Sequence, residues 1–371
     1  MSGHDLFPSA TPEYILSFQF SSWYPAFAKH TIKSTIIRPL SSEFMEYMNA
    51  DRVFVPEGSE DAPAESTLSD DEKDENPDDS EEDADEESQK RYAFPELDQQ
   101  IRDCVKEYGA VFPKLNFSAP KARLYSSSVP LTDVSLSFRL PIQDAVWLLP
   151  ASAPLKCTSP ADVYLLLKSS DFINHDLGTD TVFEGCSFDT NNPPDYQLEL
   201  VLRKWYPVDR GRELRCFVRD NKLLGLSQRD TNYYEFWNNQ QTQRDITAAI
   251  KIFWETNIKA HWETQKDYAF DFLLTRDLSH GHILDFNPYS PKTDPLLFTY
   301  EELHQFLQKD LCAVLRVVDS RSHPAATSNA PAYQHNMIPF EAVNMSSGRD
   351  IEDFAELWKE SVKKSMGKDF D

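Results

Sequence analysis

Glycine is scarce, with ten residues in 371. No G-x-x-x-x-G-K-[ST] is present, which excludes a P-loop, and no G-x-G-x-x-G follows a strand-like run, which excludes a Rossmann dinucleotide site. Any phosphate group bound by this chain must be held by side chains. Cysteine is also sparse: five residues, at 104, 157, 186, 216 and 312, none at metal-ligand spacing. An odd, scattered set predicts reduced thiols in a cytosolic protein. No run approaches the ~18 apolar residues of a membrane span. The start, MSGHDLFPSATPEY, has no basic region followed by an apolar one, so no secretory signal is expected and the predicted location is cytoplasmic. Positive charge is in deficit, with a net charge of −24. Residues 57–90 hold 17 acidic and 2 basic side chains, and the rest holds 44 and 35. With no basic face to neutralise a phosphate backbone, nucleic-acid binding is disfavoured.

What is present is apolar and aromatic. Apolar residues make up 40 %, and 371 residues suffice for one large or two medium domains. Tyr14 to Phe27 is an aromatic run that reads as a buried helix or a docking segment. Residues 57–90 have almost nothing apolar to offset ordering entropy and are expected to form a disordered acidic insertion, the alternative being a partner-binding or phosphorylated loop with Ser69 and Ser80 among acids. Pro95 begins a predicted helix stopped by Gly109, and Ala110–Phe117 reads as a strand carrying Lys114. In CTSPADVYLLLKSS, Ser159 and Pro160 form a capped turn, and the apolar run after it ends at Lys168, which is either a lysine closing a buried strand at a site or a snorkelling surface lysine. Asn174–Asp195 is polar and long enough for a mobile lid. Gln197–Tyr206 is a strand, and Glu213–Phe217 with Lys222–Gln228 make a hairpin. Asp245–Lys259 is an amphipathic helix, and Asp350–Met366 a short terminal one after a linker.

The stretch YAFDFLLTRDLSHGHILDFNPY, Tyr268 to Tyr289, organises the rest. Folded at its polar break, it brings Asp271 close to Asp285 on the neighbouring strand. Asp285 and Asn287 leave that strand on one face. Opposed like charges are destabilising, so something positive should sit between them. A hard divalent cation carrying a nucleotide's phosphates suits two carboxylates and an amide; solvated acids on a plain hairpin are the alternative. Lys114, Lys168 and the pair Glu213 and Arg215 supply further polar groups at strand ends.

VFPKLNFSAP, SPADVYLLLKSSDF, ELVLRKW, RELRCFVRDNKLLGLSQRD and DFLL…HILDFNPY, in this order, closely resemble the cell division cycle protein 123 family. The resemblance runs from about Phe18 to Val318. It implies an α+β, ATP-grasp-like fold, with two α/β lobes and mostly antiparallel sheets around a nucleotide cleft. Residues 1–56 and 91–206 would form the first lobe and 207–320 the second, with a linker and terminal helix in 321–371. It implies a monomer that binds ATP and Mg²⁺ and acts as an assembly chaperone of eukaryotic translation initiation factor 2. The implied partner is the C-terminal domain of that factor's gamma subunit, and the implied effect is joining of the alpha subunit. By resemblance, Lys114 and Lys168 are the phosphate lysines, and Glu199, Leu200, Val201 and Leu202 form the hinge strand whose backbone faces adenine. Arg215 assists the phosphates, Asp271, Asp285 and Asn287 hold the metal, and Asn116, Ala119 and Lys121 approach the nucleotide. An ATP-grasp ligase is the alternative function, although the chain is poor in glycine where such enzymes carry a phosphate-covering loop.

Overall fold

The structure, a computed structural model, describes residues 5–50, 54–60, 91–120, 155–188, 194–278 and 280–328. Most of the acidic insertion, Lys121, and the predicted terminal helix lie outside them. Among the described residues two sheets carry the fold. The smaller has three strands: β1 (Ser34–Ile37), β2 (Val111–Lys114) and, between them, β3 (Leu200–Lys204). The larger has five, in the order β7-β6-β4-β5-β8, with β4 (Glu213–Arg219), β5 (Lys222–Gln228), β6 (Tyr268–Leu274), β7 (Gly281–Pro288) and β8 (Val314–Arg316). All pairs are antiparallel except β5 with β8, so the architecture is mixed α+β.

Local chemistry explains most helix boundaries. α1 (Pro12–Leu16) starts from a Thr11 cap, and α2 (Phe20–Phe27) follows it. Ser41 caps α3 (Ser42–Asn49) by accepting from the Phe44 amide. α4 (Pro95–Tyr108) ends at Gly109, whose φ of 80° suits only a residue without a Cβ. α5 (Pro160–Lys168) begins with a full capping box between Ser159 and Asp162. The apolar run ending at Lys168 is therefore a buried helix, not the expected strand: the capping box and Pro160 at its first turn commit the backbone to α. The start of the expected lid is structured, as the end of a 3₁₀ turn (Asp171–Leu177) and α6 (Thr179–Val182). Buried Asp176 accepts the Phe117 and Ser118 amides, each at 2.8 Å, and pins the turn to the segment that follows the strand carrying Lys114. α7 (Gln240–Phe253) runs into a π-helical turn (Trp254–Lys259), and α8 (Tyr300–Gln308) precedes β8.

Three cores form. The first lies under the small sheet and joins α3, α4 and α5 through Phe44, Tyr47, Ile101, Tyr164, Leu200 and Leu202. The second covers one face of the large sheet with α2 and α7, through Phe20, Trp23, Ile250, Phe270 and Phe286. The aromatic run near the start is thus a buried helical segment. It packs on the large sheet rather than in the core under the small one. The third core sits on part of the opposite face, where α8 covers Phe217 and Ala269. The remainder of that face is charged and meets the small sheet.

Gly281 opens β7 beneath the Phe272 ring, and a Cβ there would come within 1.9 Å of it. Gly281→Ala should cost about 1–3 kcal/mol through overpacking; unchanged denaturant unfolding would contradict this packing. His282, next along β7, is held below its ordinary pKa of 6.5 first by burial and then by His280 and His30. The unfolded chain therefore takes up this proton at higher pH than the folded chain, so His282 favours folding above pH 6.5 and the contribution is lost as pH falls below it. His282→Gln should flatten the loss of unfolding midpoint between pH 7.5 and roughly pH 5.5; an unaltered slope would contradict it.

Candidate functional site

Strand register builds the site. Asp271 on β6 lies directly opposite Asp285 on β7, and opposite Arg215 on β4. Residues opposite one another share a face, so Arg215, Asp271 and Asp285 form a row across three strands. Asn287 is two residues beyond Asp285 on the same face. The hairpin thus brings its two carboxylates together as its alternation predicts. The positive charge between them comes from the protein. Arg215 makes a two-pronged pair with Asp271, at 2.8 and 2.9 Å, and its remaining nitrogen donates to the Asp294 carbonyl at 3.0 Å. The buried guanidinium is held above its ordinary pKa: burial opposes the charge, and Asp271 more than offsets it. Arg229 adds a second cation at 3.3 Å from Asp271 and also pairs with Glu213. Burial is the leading influence on Glu213 and raises its pKa, with Arg229 opposing.

Asp285 is closed from the other sheet. Lys114, 1 % exposed at the end of β2, places Nζ at 2.8 and 2.9 Å from its two oxygens. A bulge lies beside this contact: Asp271 pairs with Asp285 but Phe272 with Ile283, so Leu284 has no partner in the register. Arg203 of β3 donates to the Leu284 carbonyl at 2.6 Å and to Thr31 Oγ1 at 3.2 Å, while Thr31 donates to the Ile283 carbonyl at 2.6 Å. Ile283, Leu284 and Asp285 therefore receive Thr31, Arg203 and Lys114 in succession. Lys114 Nζ and the Arg203 guanidinium also stand 5.3 and 5.5 Å from the Phe20 ring centroid. Arg203 Nε has no partner, and burial lowers the guanidinium pKa.

The other predicted residues divide. Asn116 is fully buried and braces the chain beside Lys114: its amide donates to the Gln197 carbonyl at 2.8 Å and accepts from the Glu199 amide at 2.9 Å. Ala119 lies just past this turn and is half-buried. Glu199 is buried, with one carboxyl oxygen accepting from Gln19 and Ser21 and the other unpartnered. Burial raises its pKa, and the Ser21 and Gln19 hydrogen bonds and Arg38 act against this. Leu200, Val201 and Leu202, the expected hinge strand, are paired within the small sheet. They lie in the central strand, paired with β1 on one side, and Val201 and Leu202 also pair with β2 on the other. Lys168 is not gathered into the row. It donates to the Tyr47 carbonyl at 2.7 Å and to the Ala50 carbonyl, closing the C-terminal end of α3.

Sequence reasoning misses Arg203 and Arg229. Arg203 carries a faint signal, an arginine two residues from Val201 in an otherwise apolar strand. Arg229 follows β5 and is found only from the register. Among the described residues, no three His, Cys, Asp or Glu side chains cluster at metal-binding spacing. The candidate cation ligands are two carboxylates and an amide, a hard-oxygen set suited to Mg²⁺. Asn287 Nδ2 is buried without a partner beside them. For Lys168→Met we expect destabilisation of about 1–3 kcal/mol, with ligand binding by the folded fraction unaltered. Selective loss of ligand binding at unchanged stability would instead put Lys168 in the site.

A model described as D123 matches residues 23–128 and 134–346. A protein of Schizosaccharomyces pombe named translation initiation factor eIF2 assembly protein is 33 % identical over 363 residues, covering 96 % of this chain and 98 % of that protein. A Xenopus laevis protein of the same name is 33 % identical over 360 residues, covering 94 % and 96 %. The solved structure of Cdc123 from Schizosaccharomyces pombe superimposes with a TM-score of 0.59 at 30 % identity, covering 84 % of this chain and all of that one. The chain belongs to the D123 family.

Proposed function

We propose that this protein is an ATP-binding assembly chaperone of eukaryotic translation initiation factor 2. The relatives named as assembly proteins of that factor support the assembly role. The observation that carries the nucleotide reading is the row of Lys114, Arg215, Arg229, Asp271, Asp285 and Asn287, built from both sheets where they meet. In a protein poor in glycine, such a row offers what a triphosphate and its metal need. Lys114 and Arg215 would bind phosphate oxygens, Arg215 in two-pronged fashion. Asp271, Asp285 and Asn287 would supply oxygen ligands to Mg²⁺, and the metal would neutralise phosphate charge. Bound nucleotide would thus brace the two sheets by joining groups from each. The partner we propose is the C-terminal domain of the gamma subunit, with joining of the alpha subunit as the outcome.

The test is a pull-down in which the full chain captures the isolated C-terminal domain of the gamma subunit, with and without ATP and Mg²⁺. Capture that responds to nucleotide is expected. Asp285→Ala should abolish both ATP binding and that response. Normal ATP affinity in this variant would refute the metal assignment, and failure to capture the domain would refute the partner. ADP release accelerated by an amine or carboxylic acid would replace the chaperone reading with a ligase.

A further inference from the structure

The charged row is neutralised from within. Asp285 is held by Lys114 at 2.8 Å, and Asp271 by Arg215 at 2.8 Å and Arg229 at 3.3 Å. Those cations come from β2, β4 and the residue after β5, whereas both carboxylates belong to one hairpin. A polyphosphate arriving alone would draw Lys114 and Arg215 towards itself. Asp271 and Asp285 would then face each other across β6 and β7 with their main counter-charges withdrawn. A divalent cation arriving alone would take the two carboxylates. Lys114 would be left 1 % exposed, beside Arg203 on the Phe20 ring, with the Asp285 carboxylate taken from it. Leaving one half of a buried ion pair without a replacement partner is strongly unfavourable. When both ligands arrive, each half of each pair finds a new partner and the charges balance.

We propose that Lys114–Asp285 and Arg215–Asp271 are internal stand-ins for the phosphate and metal contacts. Nucleoside triphosphate and divalent cation then occupy the site only together, with a coupling well beyond their association in solution. This rests on the nucleotide reading above and adds to it a rule of occupancy: metal-free triphosphates and free divalent cations are both rejected.

Calorimetric titration of the full chain with ATP, in Mg²⁺ and separately in EDTA, tests the rule. The wild-type chain should bind ATP in Mg²⁺ and bind it at least roughly a hundredfold more weakly in EDTA. Asp285→Asn keeps the shape and removes the charge holding Lys114. It should bind metal-free ATP roughly tenfold or more tightly than the wild type while losing affinity in Mg²⁺. Arg229→Gln, at a half-exposed position, provides a second variant with little risk to folding. It frees part of the Asp271 charge, so Mn²⁺ alone, read by electron paramagnetic resonance, should bind about threefold more tightly than to the wild type. Equal wild-type affinity for ATP in Mg²⁺ and EDTA would overturn the coupling and leave the nucleotide site standing. So would a folded Asp285→Asn with no gain for metal-free ATP. No wild-type binding of ATP in either buffer would overturn the site itself.

Discussion

Asp271 and Asp285 face each other across one antiparallel pair, and that opposition sets the terms for the surrounding structure. Two carboxylates in register cannot remain uncompensated on a partly buried face. Compensation comes from elements far apart in sequence: Lys114 from the small sheet, Arg215 from the next strand, Arg229 from beyond β5. Satisfying this one pair fixes β4 beside β6 and draws the end of β2 onto β7. The bulge at Leu284 extends the junction, because the carbonyl it releases from the register is taken by Arg203. The junction of the two sheets is therefore polar along three consecutive residues of β7. Apolar packing with α2, α7 and α8 covers the rest of the large sheet.

That division separates roles. The apolar faces hold the two sheets and their helices together, while the polar junction holds the groups that the proposed nucleotide would recruit. Lys168 illustrates the difference. It is buried as a site lysine would be, yet its ammonium is committed to carbonyls at the end of α3, where it serves the first core. Lys114 is buried against a carboxylate, a partner that a phosphate can replace.

Much of the fold is legible in the sequence wherever the signal is local. Alternation in YAFDFLL and HILDFNPY with a polar break between them predicts the hairpin and the opposition of its acids. Ser41, Ser159 and Gly109 mark helix ends by their chemistry. The misreading of Lys168 has a physical source: a short apolar run such as VYLLLK fits a buried strand or a buried helix equally well by period. The capping box before it is the deciding feature. What local sequence does not show is tertiary. The Arg203 partner is a carbonyl released by a bulge 81 residues away. Residues 12–27 are apolar enough for either core, and only packing assigns them to the second. The central position of Val201 and Leu202, with a neighbour on each side, follows from strand order, which no single strand encodes.

The proposed function makes the polar junction of the two sheets a nucleotide cleft kept closed by its own ion pairs. Its most direct test is the Lys114 Nζ to Asp285 separation in a crystal grown with Mg²⁺ and a non-hydrolysable ATP analogue. Lys114 should leave Asp285 for a phosphate oxygen, and Asp285 and Asp271 should turn to the metal. A nucleotide bound elsewhere, with the 2.8 Å pair intact, would contradict the claim.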